Sequence, residues 1–285
     1  MQSVLEERLK LRHPPLGIFR SAEPWPGARS FAPRRTFAGG WGCAMYLVAR
    51  VFREGRPAMF SSETVRCPAT ATAFGLADPA WSFPGGYGGS LRLLSCGNSG
   101  CEEGRAAISE LEAAGASREV LDEFGNGEGF KRDPGLVGEW YAAMPRIPVM
   151  PYAVLMRLAD MEEPPEAVVF LADCLQLAAL TTLANFARRG DGGVTIPHAA
   201  ACMSIGLYPL AECLSETPRA VVGMLDISGR HTMWSILGRD LLSFSMPWNL
   251  FREMESNVDA SFMSRSLWKG IGRGSLIGGT DRELG

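Results

Sequence analysis

Apolar residues recur with two kinds of spacing along this chain, one typical of helices and one typical of strands. In CAMYLVARVFREG, Met45, Val48 and Phe52 stand three and four positions apart, which predicts a helix that ends near Gly55. The continuous apolar run EAVVFLA, residues 166–172, predicts a buried strand. Because helical and strand patterns alternate along the chain, we expect an α/β or α+β fold, with helices packed on a mixed sheet.

The same two patterns, together with capping and breaking residues, predict most of the other elements. Helices are predicted at 3–11, 108–115, 117–125, 133–144, 173–190, 198–208, 229–238 and 247–258. Strands are predicted at 16–19, 57–62, 192–196, 219–227 and 241–246, and FPGGYGGSLRLLS (83–95) reads as a glycine-rich turn that enters a strand.

Domain organisation follows from where these patterns stop. Residues 1–270 are expected to form a single compact domain, with a polar, Gly- and Glu-rich variable insertion near 96–130. The glycine-rich stretch 271–285 is expected to be a flexible tail.

Composition excludes several classes of protein. Apolar residues make up 46% of the chain and the net charge is −3, so neither a nucleic acid nor a membrane is an expected partner. The apolar stretch 167–187 contains acidic and amide residues and predicts a strand and a helix rather than a membrane span. A local basic patch remains open at Arg34, Arg35, Arg50, Arg53 and Arg56. No targeting segment is visible, so a cytoplasmic protein is expected.

Familiar catalytic and binding motifs are missing from the sequence. It contains no GxGxxG, phosphate-loop, GxSxG, HExxH or CxxC pattern. The three histidines, His13, His198 and His231, are too few for an all-histidine metal site. Seven cysteines without dense spacing indicate reduced thiols or metal ligands rather than a disulfide framework.

The cysteines differ in their surroundings. A free cysteine is most often a small buried hydrophobe, and Cys174 and Cys213, in apolar runs, fit that interpretation. Cys43, Cys67 and Cys202 instead have small neighbours, which leave room beside the sulfur. Cys43 and Cys202 also stand near predicted helix starts, where the helix dipole is expected to lower the pKa of a thiol.

Several segments in the same order resemble one family. RHPPLGIF, GGWGCAMYLVARVFREG, SSETVRCPATATAFGL and the long stretch from QLAALTTLANF to FREMESNV are similar to domain-of-unknown-function family 169, over roughly residues 10–270. The resemblance implies that Cys43, Cys67 and Cys202 occupy recurring cysteine positions of the family. This chain reads CPATATAFGL where family members often read CPGG, so paired glycines are lost there.

Three thiolates from distant parts of the chain suit an iron–sulfur cluster. We expect a cytoplasmic redox protein or enzyme that acts on a small molecule and holds such a cluster through Cys43, Cys67 and Cys202. His198, four residues before Cys202, is a candidate fourth ligand if the two share a helix face. A hydrogen-bonded structural role for His198 is the alternative.

Two other hypotheses stay open. A non-catalytic small-molecule or cofactor-binding protein would use Arg230, Gln176, Gly85 and Gly86 as pocket residues, with the arginine binding an anionic group. A cysteine-nucleophile enzyme would use Cys43, with His231 as its base. Under every hypothesis the partner is a small molecule, and a homo-oligomer is left open.

Overall fold

One mixed sheet organises the chain. The computed structural model of the protein describes residues 1–31, 43–65, 67–76 and 83–271. Within these residues the strands are β1 (Leu16–Ser21), β2 (Arg29–Ser30), β3 (Ala58–Ser61), β4 (Tyr152–Arg157), β5 (Ala167–Ala172), β6 (Val194–Thr195), β7 (Ala220–Gly223) and β8 (Leu242–Pro247). Their order is β2-β3-β4-β1-β5-β8-β7-β6; the two outermost pairs are parallel and the inner pairs antiparallel. The predicted mixed sheet with packed helices is confirmed.

Helices cover both faces of this sheet. They are α1 (Val4–Leu9), α2 (Met45–Glu54), α3 (Pro68–Ala73), α4 (Gly86–Leu93), α5 (Glu102–Ala113), α6 (Arg118–Asn126), α7 (Pro134–Ala143), α8 (Cys174–Ala184), α9 (Ala201–Ile205), α10 (Leu207–Glu212), α11 (Ile227–Leu237), α12 (Trp248–Asn257) and α13 (Ser266–Ile271).

The central strand β5 shows why two helical layers are needed. Its side chains alternate between faces, and every one of its six residues is buried. Val169 and Leu171 pack in the core beneath α2, α3 and α9, whereas Val168 and Phe170 pack in the core beneath α8 and α12. An all-apolar strand is stable only when both faces are covered.

A third, smaller core lies outside the two main layers. It is formed by Phe83, Leu93, Ala107, Leu111 and Phe124, from α4, α5, α6 and the residues just before α4. Helices α4 to α7 contact one another, and we call this unit the helical insertion. The insertion expected near 96–130 is therefore part of a larger helical unit.

The strand predicted within 83–95 is wrong, because α4 occupies that place. Gly85 begins the helix in the left-handed region, at φ +70°. Gly89 lies so close to the Pro84 carbonyl that an added Cβ would stand 2.1 Å from its oxygen. Close packing thus overrides the low helix propensity of a glycine-rich segment.

The helix predicted from Asp173 ends earlier than expected, at Ala184 rather than near Gly190. The side chain of Asn185 explains the stop, because its Oδ1 accepts a hydrogen bond from the Gly193 amide at 2.8 Å and turns the chain toward β6. The expected tail, 271–285, lies outside the described residues apart from Ile271, the last residue of α13, and so do Arg34 and Arg35 of the basic patch.

Candidate functional site

The beginnings of α2, α3, α9 and α11 meet on one side of the sheet. Helix α2 packs against α11, α3 against α9, and α9 against α11. Cys43 stands two residues before α2, Cys67 is the N-cap of α3, and Cys202 is the second residue of α9. We call these three residues the thiol cluster.

The three sulfurs lie close enough for their charges to interact. The charge of a Cys67 thiolate raises the pKa of both Cys43 and Cys202, and that of Cys43 raises the pKa of Cys202 as well. These residues are 24 to 159 positions apart in the chain, so the fold, and not local sequence, brings them together.

Burial dominates the chemistry of these thiols. Desolvation raises the pKa of Cys43 to about 12, although the Met45 amide and the Thr232 hydroxyl hydrogen-bond to its sulfur and oppose the shift. Desolvation likewise raises the pKa of Cys67, and it raises that of Cys202 well above the ordinary range. The expectation that a helix start lowers the pKa of Cys43 and Cys202 is wrong, because loss of solvation outweighs the helix dipole here.

Asp226, the N-cap of α11, links two of the helices that meet at the thiol cluster. One carboxylate oxygen accepts the Gly229 amide of its own helix, and the other accepts the Ala201 amide, the first residue of α9. Ser228 donates to the same carboxylate at 3.1 Å. Gly229 must be small, because an added Cβ would stand 2.8 Å from the Ala201 Cβ. Asp226 therefore fixes where the helix that carries Cys202 begins.

The helical insertion contributes two acidic groups beside the thiol cluster. Burial, a hydrogen bond with Glu123 and the charge of Asp226 raise the pKa of Glu128 to about 8. Burial also raises the pKa of Tyr141 to about 12, and the charges of Glu128 and Cys67 act in the same direction. Sequence reasoning missed both residues: Glu128 stands in a polar Gly-rich stretch and Tyr141 in an apolar helix, and neither context signals a site.

These groups are neither fully buried nor fully exposed. Cys43, Cys67, Glu128 and Tyr141 each keep part of their surface accessible, although burial is the largest cause of each pKa shift. We call the region that these four residues share the cleft.

A comparison with family models identifies the family of the chain. The model of DUF169, described as uncharacterised ArCR, matches residues 4–257. The chain belongs to the DUF169 family. No curated protein and no solved structure matches it. The matched range contains the thiol cluster, Asp226 and the helical insertion, so the whole cleft belongs to the DUF169 domain.

In this DUF169 domain, His198 and Cys202 do not share a helix face. Helix α9 begins only at Ala201, so the premise of helical i, i+4 spacing between the two residues is wrong. The exposed His198 ring instead contacts Phe130 and Trp140, with 6.0 Å between ring centroids in each case. Across the described ranges, no three His, Cys, Asp or Glu side chains are close enough to hold a single metal ion.

Two residues predicted to contact a cofactor have structural hydrogen bonds. Gln176 forms a reciprocal capping box with Asp173 and donates its amide to the carbonyl of Leu9 at 3.1 Å. Arg230 donates to the carbonyls of Leu241 and Arg239. These bonds join α8 to the end of α1, and α11 to the loop before β8, so any contact with a ligand stays a prediction.

Gly85 and Gly86, the other predicted pocket residues, lie at the start of α4. Both have positive φ, +70° and +61°. An added Cβ at Gly86 would meet nothing within 4 Å, so its surface is open.

The remaining predicted residues divide between exposed and structural positions. The His231 ring lies 5.1 Å from that of Trp234, and its neighbour Thr232 is the residue that bonds to Cys43. Cys174 is exposed, so its predicted packing role is wrong, whereas Cys213 donates to the Glu166 carbonyl at 3.3 Å. All seven cysteines are free thiols.

Among the described helices, none is long and apolar enough to cross a membrane.

Proposed function

We propose that this DUF169 protein is a cytoplasmic iron–sulfur protein, a redox protein or enzyme that acts on a small molecule, with Cys43, Cys67 and Cys202 as cluster ligands. The observation that carries the proposal is the mutual interaction of the three thiol charges. Three thiols that the fold brings together from separate elements supply the soft donors that iron–sulfur clusters require.

The raised pKa values mean that the thiols of Cys43, Cys67 and Cys202 are protonated at neutral pH before a metal binds. Thiols that remain protonated at neutral pH release their protons when a metal binds, because coordination deprotonates a thiol outright. Three buried thiolates without a cation would be costly, since each opposes the others. The donor set therefore fits a positively charged centre better than it fits three free thiolates.

A cluster allows its ligands to stand farther apart than a single ion does. Ligand sulfurs of one tetrahedral zinc lie about 3.8 Å apart, because each Zn–S bond is about 2.3 Å. Within the described residues, no group of three His, Cys, Asp or Glu side chains meets the requirement for one ion. In a cluster each cysteine binds a different iron, so the ligands stand farther apart while their charges still interact.

The chain's own residues would act around such a centre. A bound cluster would supply electron transfer or, at an iron without a cysteine ligand, Lewis acidity. Asp226 holds the start of α9 and so fixes Cys202 relative to α11. The Met45 amide hydrogen-bonds to the sulfur of Cys43 and stabilises its thiolate form, and Thr232 of α11, whose hydroxyl donates to the Ser228 carbonyl, also lies beside this sulfur. Partial burial limits the access of water to the cleft.

The proposal is tested by preparing the full chain without air. Iron and acid-labile sulfide are measured per protein, together with visible absorbance. We expect a brown protein with both elements in stoichiometric amounts, and a colourless, iron-free wild-type protein would contradict the proposal.

Cysteine variants show whether the thiol cluster is the place of binding. Cys202→Ala should lose most of the iron, whereas Cys174→Ala, which changes an exposed cysteine at the start of α8, should retain it. Circular dichroism of each variant confirms that the fold is unchanged. Equal loss of iron from both variants, or from neither, would contradict the assignment of ligands.

A further inference from the structure

Two loops at one edge of the sheet enclose a cavity of about 540 Å³. One loop, residues 185–193, joins α8 to β6, and the other, residues 213–219, joins α10 to β7. Because β6 and β7 are parallel neighbours, both loops enter the sheet at the same end of these strands. The Ala220 amide donates to the Gly193 carbonyl at 2.9 Å and so holds the two loops side by side.

Three arginines line this cavity, which we call the arginine pocket. Arg188 and Arg189 come from the first loop and Arg219 comes from the second. In the part of the chain that the structure describes, no carboxylate lines the pocket, although Asp191 and Glu216 stand in the same two loops. The lining is therefore basic, in a protein whose net charge is −3.

Two of the arginines are held in place by carboxylates from neighbouring helices. Nε and Nη2 of Arg219 donate to Glu212 Oε1 at 2.9 and 2.7 Å, and the Arg219 amide donates to Glu212 Oε2 at 2.8 Å. Arg188 Nη2 lies 3.5 Å from Glu253 Oε2. A guanidinium group has five N–H donors, so each arginine keeps free donors while its carboxylate fixes its position.

Arg189 differs from the other two arginines because it is exposed and, among the described residues, forms no ion pair. Its charge is the one that the two neighbouring carboxylates leave without a counterpart. An added Cβ at Gly190 or Gly192 would meet nothing within 4 Å, so the backbone beside Arg189 is open. Ser215 and Thr217 add two hydroxyl groups from the opposite loop.

We propose that the arginine pocket binds the phosphate group of a small phosphorylated compound, with Arg189 as its principal anchor. Planar guanidinium donors match the oxygen atoms of a phosphate, and hydroxyl groups and backbone amides add further donors. An anion at this position gains the most from Arg189, because this charge is not already neutralised.

The size and lining of the arginine pocket indicate what carries the phosphate. Its volume of about 540 Å³ lies in the range of small-molecule pockets, about 300–1,000 Å³, and exceeds what a bare phosphate fills. The described lining residues are arginine, glycine, serine and threonine, without a large apolar side chain. This polar lining fits a compound rich in hydroxyl groups, such as a sugar phosphate.

The arginine pocket and the thiol cluster are separate places in the fold. The pocket lies where the chain enters β7, whereas Asp226, which holds the helix of Cys202, follows the other end of this strand. Four residues of extended chain span about 13 Å. Phosphate binding and iron binding therefore succeed or fail independently.

Isothermal titration calorimetry of the full chain with ribose 5-phosphate, at low ionic strength, tests the proposal. We expect one binding site per chain and no binding of unphosphorylated ribose. Arg189→Ala should weaken the binding by about tenfold or more, because a hydrogen bond to a charged group is lost. Arg265→Ala is the matched control, since Arg265 is also exposed, forms no ion pair among the described residues and does not line the pocket. It should bind as the wild type does.

Three results would overturn the proposal. The first is a wild type that does not bind ribose 5-phosphate, and the second is equal affinity of Arg189→Ala and Arg265→Ala. The third is inorganic sulfate binding as tightly as ribose 5-phosphate, because the pocket would then hold any anion and not a phosphorylated compound. Circular dichroism of both variants confirms that the fold is unchanged.

Discussion

The carboxylate of Asp226 accepts a hydrogen bond from the Ala201 amide, although the two residues belong to different helices. Asp226 caps α11 through Gly229 at the same time. One side chain therefore fixes the start of α9, and with it Cys202, against the helix whose Thr232 contacts Cys43.

Replacing this double cap should destabilise the protein strongly. Asp226→Ala leaves two buried amides without an acceptor, and we expect it to lower the free energy of unfolding by about 2–4 kcal/mol. Asp226→Asn keeps one acceptor oxygen and should lose about half as much. Urea unfolding followed by circular dichroism measures both values. An Asp226→Ala protein within about 0.5 kcal/mol of the wild type would show that the double cap contributes little.

Gly206 sets the separation between α9 and α3. An added Cβ at Gly206 would stand 2.3 Å from the Ala73 carbonyl oxygen, at the end of the helix that Cys67 caps. We expect Gly206→Ala to lower the free energy of unfolding by about 1–3 kcal/mol, because backbone must move to admit the methyl group. Gly190→Ala is the matched control, since a Cβ there meets nothing within 4 Å. If the two substitutions lower the melting temperature equally, close packing at Gly206 is not the cause.

The raised pKa of Glu128 predicts how stability depends on pH. The group titrates at about 8 in the folded protein, against an ordinary value of 4.5, so the unfolded chain releases this proton first. The protonated group stabilises the folded protein fully at pH values below its pKa in the unfolded chain. This stabilisation, on the order of a few kcal/mol, is lost as the pH rises through its pKa in the folded protein. Unfolding free energies of the wild type and of Glu128→Gln should therefore shift in favour of the variant between about pH 5 and about pH 8. A constant difference between the two proteins across that range would contradict the shift.

The Arg20–Glu166 ion pair should stabilise the folded protein more than an exposed ion pair does. Arg20 Nη2 lies 2.7 Å from Glu166 Oε1, the arginine side chain is 9% exposed, and the Arg20 amide donates to the same carboxylate at 2.8 Å. We expect Glu166→Gln to cost about 1–3 kcal/mol, less than for a fully buried pair, since the glutamate is partly exposed. Asp122→Asn breaks the exposed Arg118 pair and should change stability by less than about 0.5 kcal/mol. Urea unfolding of both variants distinguishes them, and equal effects would contradict the ranking.

Elements with a single strong pattern were predictable from the sequence. The run EAVVFLA is buried on both faces of the sheet, and Ser3, Asp133 and Asp173 cap the helices expected of them. Segment 83–95 was not predictable, because its glycines allow close packing of Gly85 on Ala107 of α5 and of Gly89 on Phe124 of α6, and such contacts between elements leave no mark in the local pattern.

The candidate site was predictable only in part. Small neighbours and the family resemblance singled out Cys43, Cys67 and Cys202, and their charges do interact in the fold. The direction of their pKa shifts was not predictable, because desolvation depends on how many atoms surround each sulfur. Glu128 and Tyr141 reach the cleft only through the packing of the helical insertion, which no motif records.

Iron bound per chain, after expression and purification without air, tests the central claim most directly. The account predicts that Cys43→Ala, Cys67→Ala and Cys202→Ala each lose most of the iron and sulfide of the wild type. Cys213→Ala, whose thiol bonds to the Glu166 carbonyl on another part of the fold, should retain both. A wild type without iron, or iron content unchanged in all three cluster variants, would contradict the account.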